Sequence, residues 1–399
     1  MKKFLSVIAL VAICFSSAYA SGGKKDAETP AKYIFLFIGD GMGNSQVAAA
    51  ESYNSYLAGS FYGEQLLFTT FPVFGTCTSY SANSRVTDSS AAGTAIATGT
   101  KINNGVVGVD PEGNNVYSYA LDFQEMGYNI AIFSSVPVNH ATPASFYGHD
   151  ASRGAYWTIA TQIPEAGYKF MGGSGILNDK QNKDKDPEAY ISEHGYAVVH
   201  GLEEYNQAKA DAERILVLAE PRNEEVGNYS SVDKGQQEPM LLSEMMDCAI
   251  DFLGDDKPFF MMCEGGEIDW EAHANHTLPM VVAINKMDAA VKEAYEFYLK
   301  HQDETLIVIT ADHETGGISL GSAQSGYAVY WDVLIDDWNQ NGIRKDNDEN
   351  AALNNKAGLA WTTKSHTGAP VPVYAIGKGA EKFAGRMDNT EFRTKFLCR

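Results

Sequence analysis

The sequence predicts an α/β fold, a doubly wound and mostly parallel central sheet with helices on both faces. Three observations predict it. Continuous apolar runs at Tyr33 to Ile38, Pro258 to Cys263 and Thr305 to Thr310 have the length of strands buried on both faces. Segments of helical character separate them, as parallel strands require a crossover. Each run also leads into an acidic residue beside glycine: Gly39-Asp40-Gly41, Glu264-Gly265-Gly266, and Asp312 ahead of Gly316-Gly317. Carboxylates gathered at one sheet edge repel unless a cation holds them, so the repetition points to a metal site at the carboxyl edge of the sheet. The 399 residues, 44% hydrophobic and 20% charged, suffice for one large domain over residues 21–399.

Ahead of that domain, Met1-Lys2-Lys3 is a basic region, Phe4 to Phe15 an apolar one, and Ala18-Tyr19-Ala20 a small-residue cleavage site. Residues 1–20 therefore read as a signal peptide and the mature chain as periplasmic or secreted. Cys14 invites a lipoprotein reading, but Ile13 stands where a small residue would be wanted. No later segment is apolar for long enough to span a bilayer. The formal net charge of −21 repels nucleic acid and anionic membrane. An anionic substrate would need local positive charge, for which bound metal is the expected source. Cys77, Cys248, Cys263 and Cys398 allow one or two disulfides in an oxidising compartment, with no connectivity fixed by their spacing.

The first strand ends in Gly39 to Ser45. A dinucleotide fingerprint fails there because Asn44 stands at the third glycine position, whereas Asp40 between two glycines suits a metal ligand. Val86 to Ala95 reads as a helix start: Asp88 can cap, Ser89 falls in the first turn, and Ala91, Ala92, Gly93 and Ala95 leave room for close approach. The unpaired N–H groups of such a terminus attract anions. A helix near Ala120 to Met126 and a strand from Asn129 to Ser134 follow. Next come His140 and Thr142, on one side if the segment is extended, and then Arg153. Residues 161–240, with their glycines and charged runs, read as a lid or insertion carrying one strand at Ile215 to Leu218.

A helix from Met240 to Leu253 precedes the second apolar run. After it, Asp269 and His273 are four apart and share one helix face, as two ligands of one ion would; His276 lies just beyond. A long helix, about Pro279 to Tyr298, leads to the third run and to Asp312 and His313. Asp346, Asp348 and Asn350 imitate a calcium loop but lack its glycine and closing Glu. His366 stands in a loop before a strand at Val371 to Ile376, and a helix near Asn389 to Phe396 ends the chain.

Mixed His and Asp ligands suit zinc, whereas Glu, Thr and water suit magnesium. The ordered set Asp40 in Gly-Asp-Gly-Met-Gly, Thr87-Asp88-Ser89, His140-x-Thr142-Pro143, Arg153, Glu264 with Asp269 and His273, Ala311-Asp312-His313 and His366-Thr367-Gly368 resembles alkaline phosphatase from about residue 33 to 377. By that resemblance Asp269, His273 and His366 hold a first zinc, and Asp40, Asp312 and His313 a second. Glu264, Thr142 and Asp40 bind magnesium with His140 nearby. Ser89 becomes a phosphoserine, and Arg153, oriented by Asp88, grips the phosphoryl group. Some relatives carry Asp where this chain has His140, and Lys or His at Trp270, so the third metal can differ here. The resemblance implies small phosphate monoesters as substrates and admits a homodimer. The rival readings are a phosphodiesterase or sulfatase of the same superfamily, and a metal- or phosphate-binding protein, for which an activated Ser89 would serve no purpose.

Overall fold

The computed structural model describes residues 29–219, 240–321, 325–342 and 346–399. The expected signal peptide, residues 1–20, and Cys14 lie outside the described residues. Its strands are β1 (Tyr33–Gly39), β2 (Val73–Thr78), β3 (Asn129–Ser134), β4 (Phe170–Gly173), β5 (Ala197–His200), β6 (Ile215–Leu218), β7 (Phe259–Gly265), β8 (Thr305–Thr310), β9 (Glu314–Thr315), β10 (Ile318–Leu320), β11 (Leu359–Trp361), β12 (His366–Thr367), β13 (Val371–Gly377) and β14 (Gly385–Asp388). Ten of them form one sheet in the order β14-β2-β13-β8-β1-β7-β3-β4-β6-β5. Only β13 runs antiparallel to its sheet neighbours, so the sheet is mostly parallel, as the apolar runs predict.

Every residue of β1, β7 and β8 is buried, because helices cover both faces of a parallel sheet and no strand there can afford a polar stripe. The 24-residue helix Thr277–Lys300 is the crossover between β7 and β8 and buries Met280, Ile284, Met287, Val291 and Phe297. Register then sets the site. Gly39 of β1 lies opposite Gly265 of β7, Ser134 of β3 opposite Glu264, and Ile38 opposite both Glu264 and Thr310 of β8. Asp40 and Asp312 therefore follow β1 and β8 two residues past the level of Glu264, and all three come to the same edge of neighbouring strands.

The 161–240 range differs from its sequence reading. Besides β6 it supplies β4 and β5, and all three continue the central sheet at one edge. Residues 220–239 of that range lie outside the described residues. Two short antiparallel pairs, β10 with β11 and β12 with β9, stand apart from the main sheet. Cys77, Cys248, Cys263 and Cys398 are free thiols, so the disulfides that their number allows are not formed among the described residues. No helix there is long and apolar enough to cross a membrane.

Candidate metal centre and nucleophile

The turn after β1 depends on Gly41. Its φ of +74° lies in the left-handed region, and a Cβ there would stand 2.9 Å from Thr315 Oγ1 and 3.0 Å from the Asp269 Cα. The bare backbone instead donates from Gly41 N to Asp312 Oδ1 at 3.2 Å and accepts at Gly41 O from Thr315 N at 3.1 Å. The Asp40 turn and the Asp312–Thr315 segment are thereby joined.

His313 Nε2 lies 3.3 Å from Asp40 Oδ1, 3.2 Å from Asp312 Oδ2 and 3.3 Å from Ser89 Oγ. Its tautomer follows from the hydrogen-bond network. Thr315 Oγ1 donates to Asp269 Oδ1 at 2.6 Å, so the lone pair it turns toward His313 Nδ1, 3.2 Å away, accepts the ring N–H there. That leaves a lone pair on Nε2 facing two carboxylate oxygens, and neither Asp40 Oδ1 nor Asp312 Oδ2 has a hydrogen-bond partner. Buried acceptors that converge without a donor are costly unless a cation sits among them.

The same logic applies beside it. His273 Nδ1 faces the carbonyl of Lys364 at 2.6 Å, and His366 Nδ1 faces that of Thr87 at 2.8 Å. A carbonyl only accepts, so both Nδ1 atoms carry hydrogen and both Nε2 atoms, 3.0 Å apart, present lone pairs to each other. Asp269 completes the cluster, with Oδ2 3.3 Å from His273 Nε2 and Oδ1 3.6 Å from His366 Nε2. The Asp269–His273 pair lies on the helix Glu267–Ala274, one turn apart as its spacing predicts. His366 arrives through β12, where it pairs with Thr315 of β9, and its ring stacks on that of His313 at 3.6 Å.

A third group unites Asp40, His140 and Glu264. Thr142 Oγ1 lies 3.5 Å from Asp40 Oδ2, Ser134 donates to Glu264 Oε2, and both Glu264 Oε1 and His140 Nδ1 are buried without a hydrogen-bond partner. The backbone here is helical, so the condition under which His140 and Thr142 would share one side of an extended segment is not met. His140 is the N-cap of a short helix, Ala141–Ala144, which tolerates Pro143 in its first turn. Trp270 meets the His140 ring edge to face at 5.7 Å and forms part of the wall. In each of the sets Asp40–Asp312–His313, Asp269–His313–His366 and Asp40–His140–Glu264, one candidate ligand atom per residue lies within 4.8 Å of the others.

Charge is out of balance in this cluster. Burial, with neighbouring carboxylates, holds Asp40 and Asp312 well above the usual carboxylate range. Burial raises Glu264 to about 7 against hydrogen bonds from Ser134 and Thr142. It pushes His140 down to about 4, helped by Arg153, and holds His313 well below the ordinary imidazole value with His366 beside it. Asp269 goes the other way: burial raises it, but the hydrogen bond that His273 gives once it is protonated at Nε2 as well, with the positive charge of the neighbouring imidazoles, outweighs that and lowers it. The donor set thus fits divalent cations, which would neutralise the acids and use the imidazole lone pairs.

Ser89 opens the wholly buried helix Ser89–Thr98. Asp88 caps it, accepting from Ala91 N at 2.9 Å, and also accepts from Gly105 N at 2.8 Å and from Arg153 Nη1 at 3.2 Å. One carboxylate therefore fixes both the helix start and the guanidinium. Gly93 permits close packing here, since a Cβ would stand 2.8 Å from Ser145 Oγ. All the sequence-predicted candidates meet in this one region. His276 instead pairs with Glu271 at 2.8 Å. Sequence reasoning passes over Thr315 and Ser134. Thr315, two residues after His313, was within reach by strand alternation; Ser134 is identified only by its register with Glu264.

The family model described as alkaline phosphatase matches residues 31–185 and 170–397. Alkaline phosphatase 3 of Bacillus subtilis (strain 168) is 30% identical across 98% of this chain and 95% of its own length. The alkaline phosphatase of Escherichia coli (strain K12) is 27% identical across 92% of this chain and 85% of its own. Among solved structures, the alkaline phosphatase from the Antarctic bacterium TAB5 superposes with a TM-score of 0.74 at 29% identity, covering 92% of this chain and 97% of that one. A variant of that enzyme has been solved with magnesium bound in its M3 site.

Proposed function

The chain belongs to the alkaline phosphatase family and is a phosphomonoester hydrolase; on that premise we propose that it works through a phosphoserine formed on Ser89. The observation that carries the reading is the position of Ser89 Oγ, 3.3 Å from His313 Nε2 at the focus of unpartnered carboxylate oxygens. In this reading Asp269, His273 and His366 hold one zinc and Asp40, Asp312 and His313 the other. Glu264, Thr142, Asp40 and His140 hold a third ion, magnesium being the expected one. Bound cations supply the positive charge that makes a serine alkoxide accessible near neutral pH and that stabilises a departing oxygen.

The chain's own residues supply the rest. Ser89 Oγ loses its proton and forms a bond to phosphorus while the bond from phosphorus to the ester oxygen breaks, and the departing alkoxide takes up a proton. Water then cleaves the phosphoserine, releasing inorganic phosphate and restoring the hydroxyl. Arg153 presents two N–H groups to phosphoryl oxygens, and Asp88 keeps it from swinging into solvent. The helix N-terminus at Ser89 adds backbone donors for the same anion. A dianionic monoester satisfies this charge better than a diester or a sulfate. Residues 1–20 support export to the periplasm or beyond.

The test is metal content measured together with hydrolysis of an aryl phosphate monoester, the matching diester and the matching sulfate, for the wild type and Ser89→Ala. The proposal expects about two zincs per chain and monoester turnover that disappears in the variant while metal stays bound. Preference for the diester or sulfate would move the chain to a sister activity. Turnover that survives Ser89→Ala would remove the phosphoserine.

A further inference from the structure

Glu314 belongs to none of the three ligand sets, yet it is almost wholly buried, 4% exposed, next to a cluster that already holds too many acids. Both of its carboxylate oxygens are engaged. Oε1 accepts from Gln46 Nε2 and from Gly317 N, the latter at 2.8 Å, and Oε2 accepts from Thr367 Oγ1. These donors come from three different places. Gln46 lies in the helix that starts directly after the Asp40 turn and also donates to Thr315 O at 2.7 Å. Gly317 follows the Asp312–His313 segment. Thr367 follows His366 and lies opposite Glu314 in the β12–β9 pair.

A steric observation points the same way. A Cβ on Gly43, in the Asp40 turn, would stand 2.3 Å from Glu314 Cγ and 3.1 Å from its Cβ. Gly43 has an ordinary extended backbone, φ −81° and ψ 176°, so its lack of a side chain serves the approach of Glu314 and not a turn conformation. The chain keeps this position empty so that the Glu314 stem can reach past it.

We infer that Glu314 is a positioning residue, a clamp that holds the Asp40 turn, the Asp312–His313 segment and the His366 strand in their ligand-binding arrangement. The need for a clamp is physical. Unpartnered oxygens of Asp40, Asp312 and Glu264 crowd together, each carboxylate that ionises there is repelled by the others, and the His273 and His366 lone pairs face each other, so a metal-free site is driven to open. Three hydrogen bonds to one buried carboxylate oppose that opening, which keeps the site preorganised for metal and lowers the cost of loading it. The inference rests on the reading of the site as a metal centre.

The test uses the full mature chain and measures zinc affinity by competition with a chromophoric chelator, together with the visible absorption of the cobalt-substituted protein. Glu314→Ala and Gly43→Ala are expected to weaken zinc binding about 10- to 100-fold and to alter the cobalt bands. Glu314→Gln should stay within about threefold of the wild type, because its carbonyl still accepts from Gln46 and Gly317 and its amide can donate to the Thr367 hydroxyl. Thr367→Val removes a single arm and covers the case in which Glu314→Ala fails to fold; its expected loss is about tenfold, the low end for an outer-shell partner. Variants with wild-type zinc affinity and unchanged cobalt spectra, whatever their thermal stability, overturn the clamp. A wild-type chain that takes up no zinc or cobalt overturns the metal-centre reading and the clamp together.

Discussion

Replacing Thr315 with valine removes one wholly buried hydroxyl while keeping the side-chain volume. That hydroxyl donates to Asp269 Oδ1 at 2.6 Å and accepts from His313 Nδ1 at 3.2 Å, so it connects two ligand sets. A hydrogen bond to a charged group is worth about 1.5–3 kcal/mol, and a buried donor left unpaired costs about 1–3 kcal/mol. The metal-free variant can escape part of this. Its His313 proton can move to Nε2 and donate to Asp40 or Asp312, the oxygens that otherwise lack partners. The rescuing tautomer has no lone pair on Nε2 and cannot bind a cation there. Metal-free Thr315→Val should therefore lose only about 1–2 kcal/mol of folding stability. Zinc affinity should fall by about 2 kcal/mol, or about 30-fold. Chelator competition measures the second quantity, urea unfolding of the chelated protein the first, and Thr315→Ser should restore both. Zinc affinity within about twofold of the wild type, alongside a drop in metal-free stability, would refute the tautomer argument.

Two more expectations follow from the same geometry. In Asp88→Asn the remaining carbonyl still caps Ala91, but the new amide points donors at Gly105 N and Arg153. The KM for an aryl phosphate and the inhibition constant of inorganic phosphate should then rise together by about tenfold, the loss of one charge-assisted contact; steady-state kinetics with phosphate as inhibitor reads both, and an unchanged inhibition constant counts against Arg153 as the phosphoryl grip. In the chelated protein near pH 7, the imidazoles of an unfolded chain are largely neutral, while Glu264, raised to about 7, and Asp40 and Asp312, raised well above the usual carboxylate range, bind protons more tightly than they do in the unfolded chain. His273, also raised, acts in the same direction. Folding stability should fall from pH 7 to pH 9 without metal and rise or hold with zinc bound, because deprotonated ligands bind metal better. Urea midpoints at the two pH values decide it, and a metal-free protein that gains stability over this range refutes the assigned charge imbalance.

Much of the fold and of the site was already written in local pattern. The apolar runs that became β1, β7 and β8 match the predicted spans to within two residues, because burial on both faces demands continuous apolar sequence. The Asp88 cap and the Asp269–His273 face also follow from short-range rules, the first from N-cap chemistry and the second from helical period. The prediction went astray where local signal is weak. β4 and β5 are four residues each, one ending in two glycines and the other in His200, so they carried too little apolar sequence to stand out from a lid. His140 and Thr142 share a side only if their segment is extended, and the structure instead makes His140 the cap of a short helix whose first turn accommodates Pro143.

By itself, then, the sequence determined where the three central strands end and where the Ser89 and Asp269 helices begin, and with them the candidate ligands and candidate nucleophile. Only the tertiary structure decided how these meet. The register of β3, β7, β1 and β8 brings Ser134, Glu264, Asp40 and Asp312 to one edge of the sheet, and the two-residue β12–β9 pair carries His366 onto His313. Thr315 and Glu314 acquired their partners in the same way. Periodicity and capping act over a few residues and are encoded locally, whereas register depends on backbone hydrogen bonds and side-chain packing between segments far apart in the chain, which exist only once the sheet has assembled.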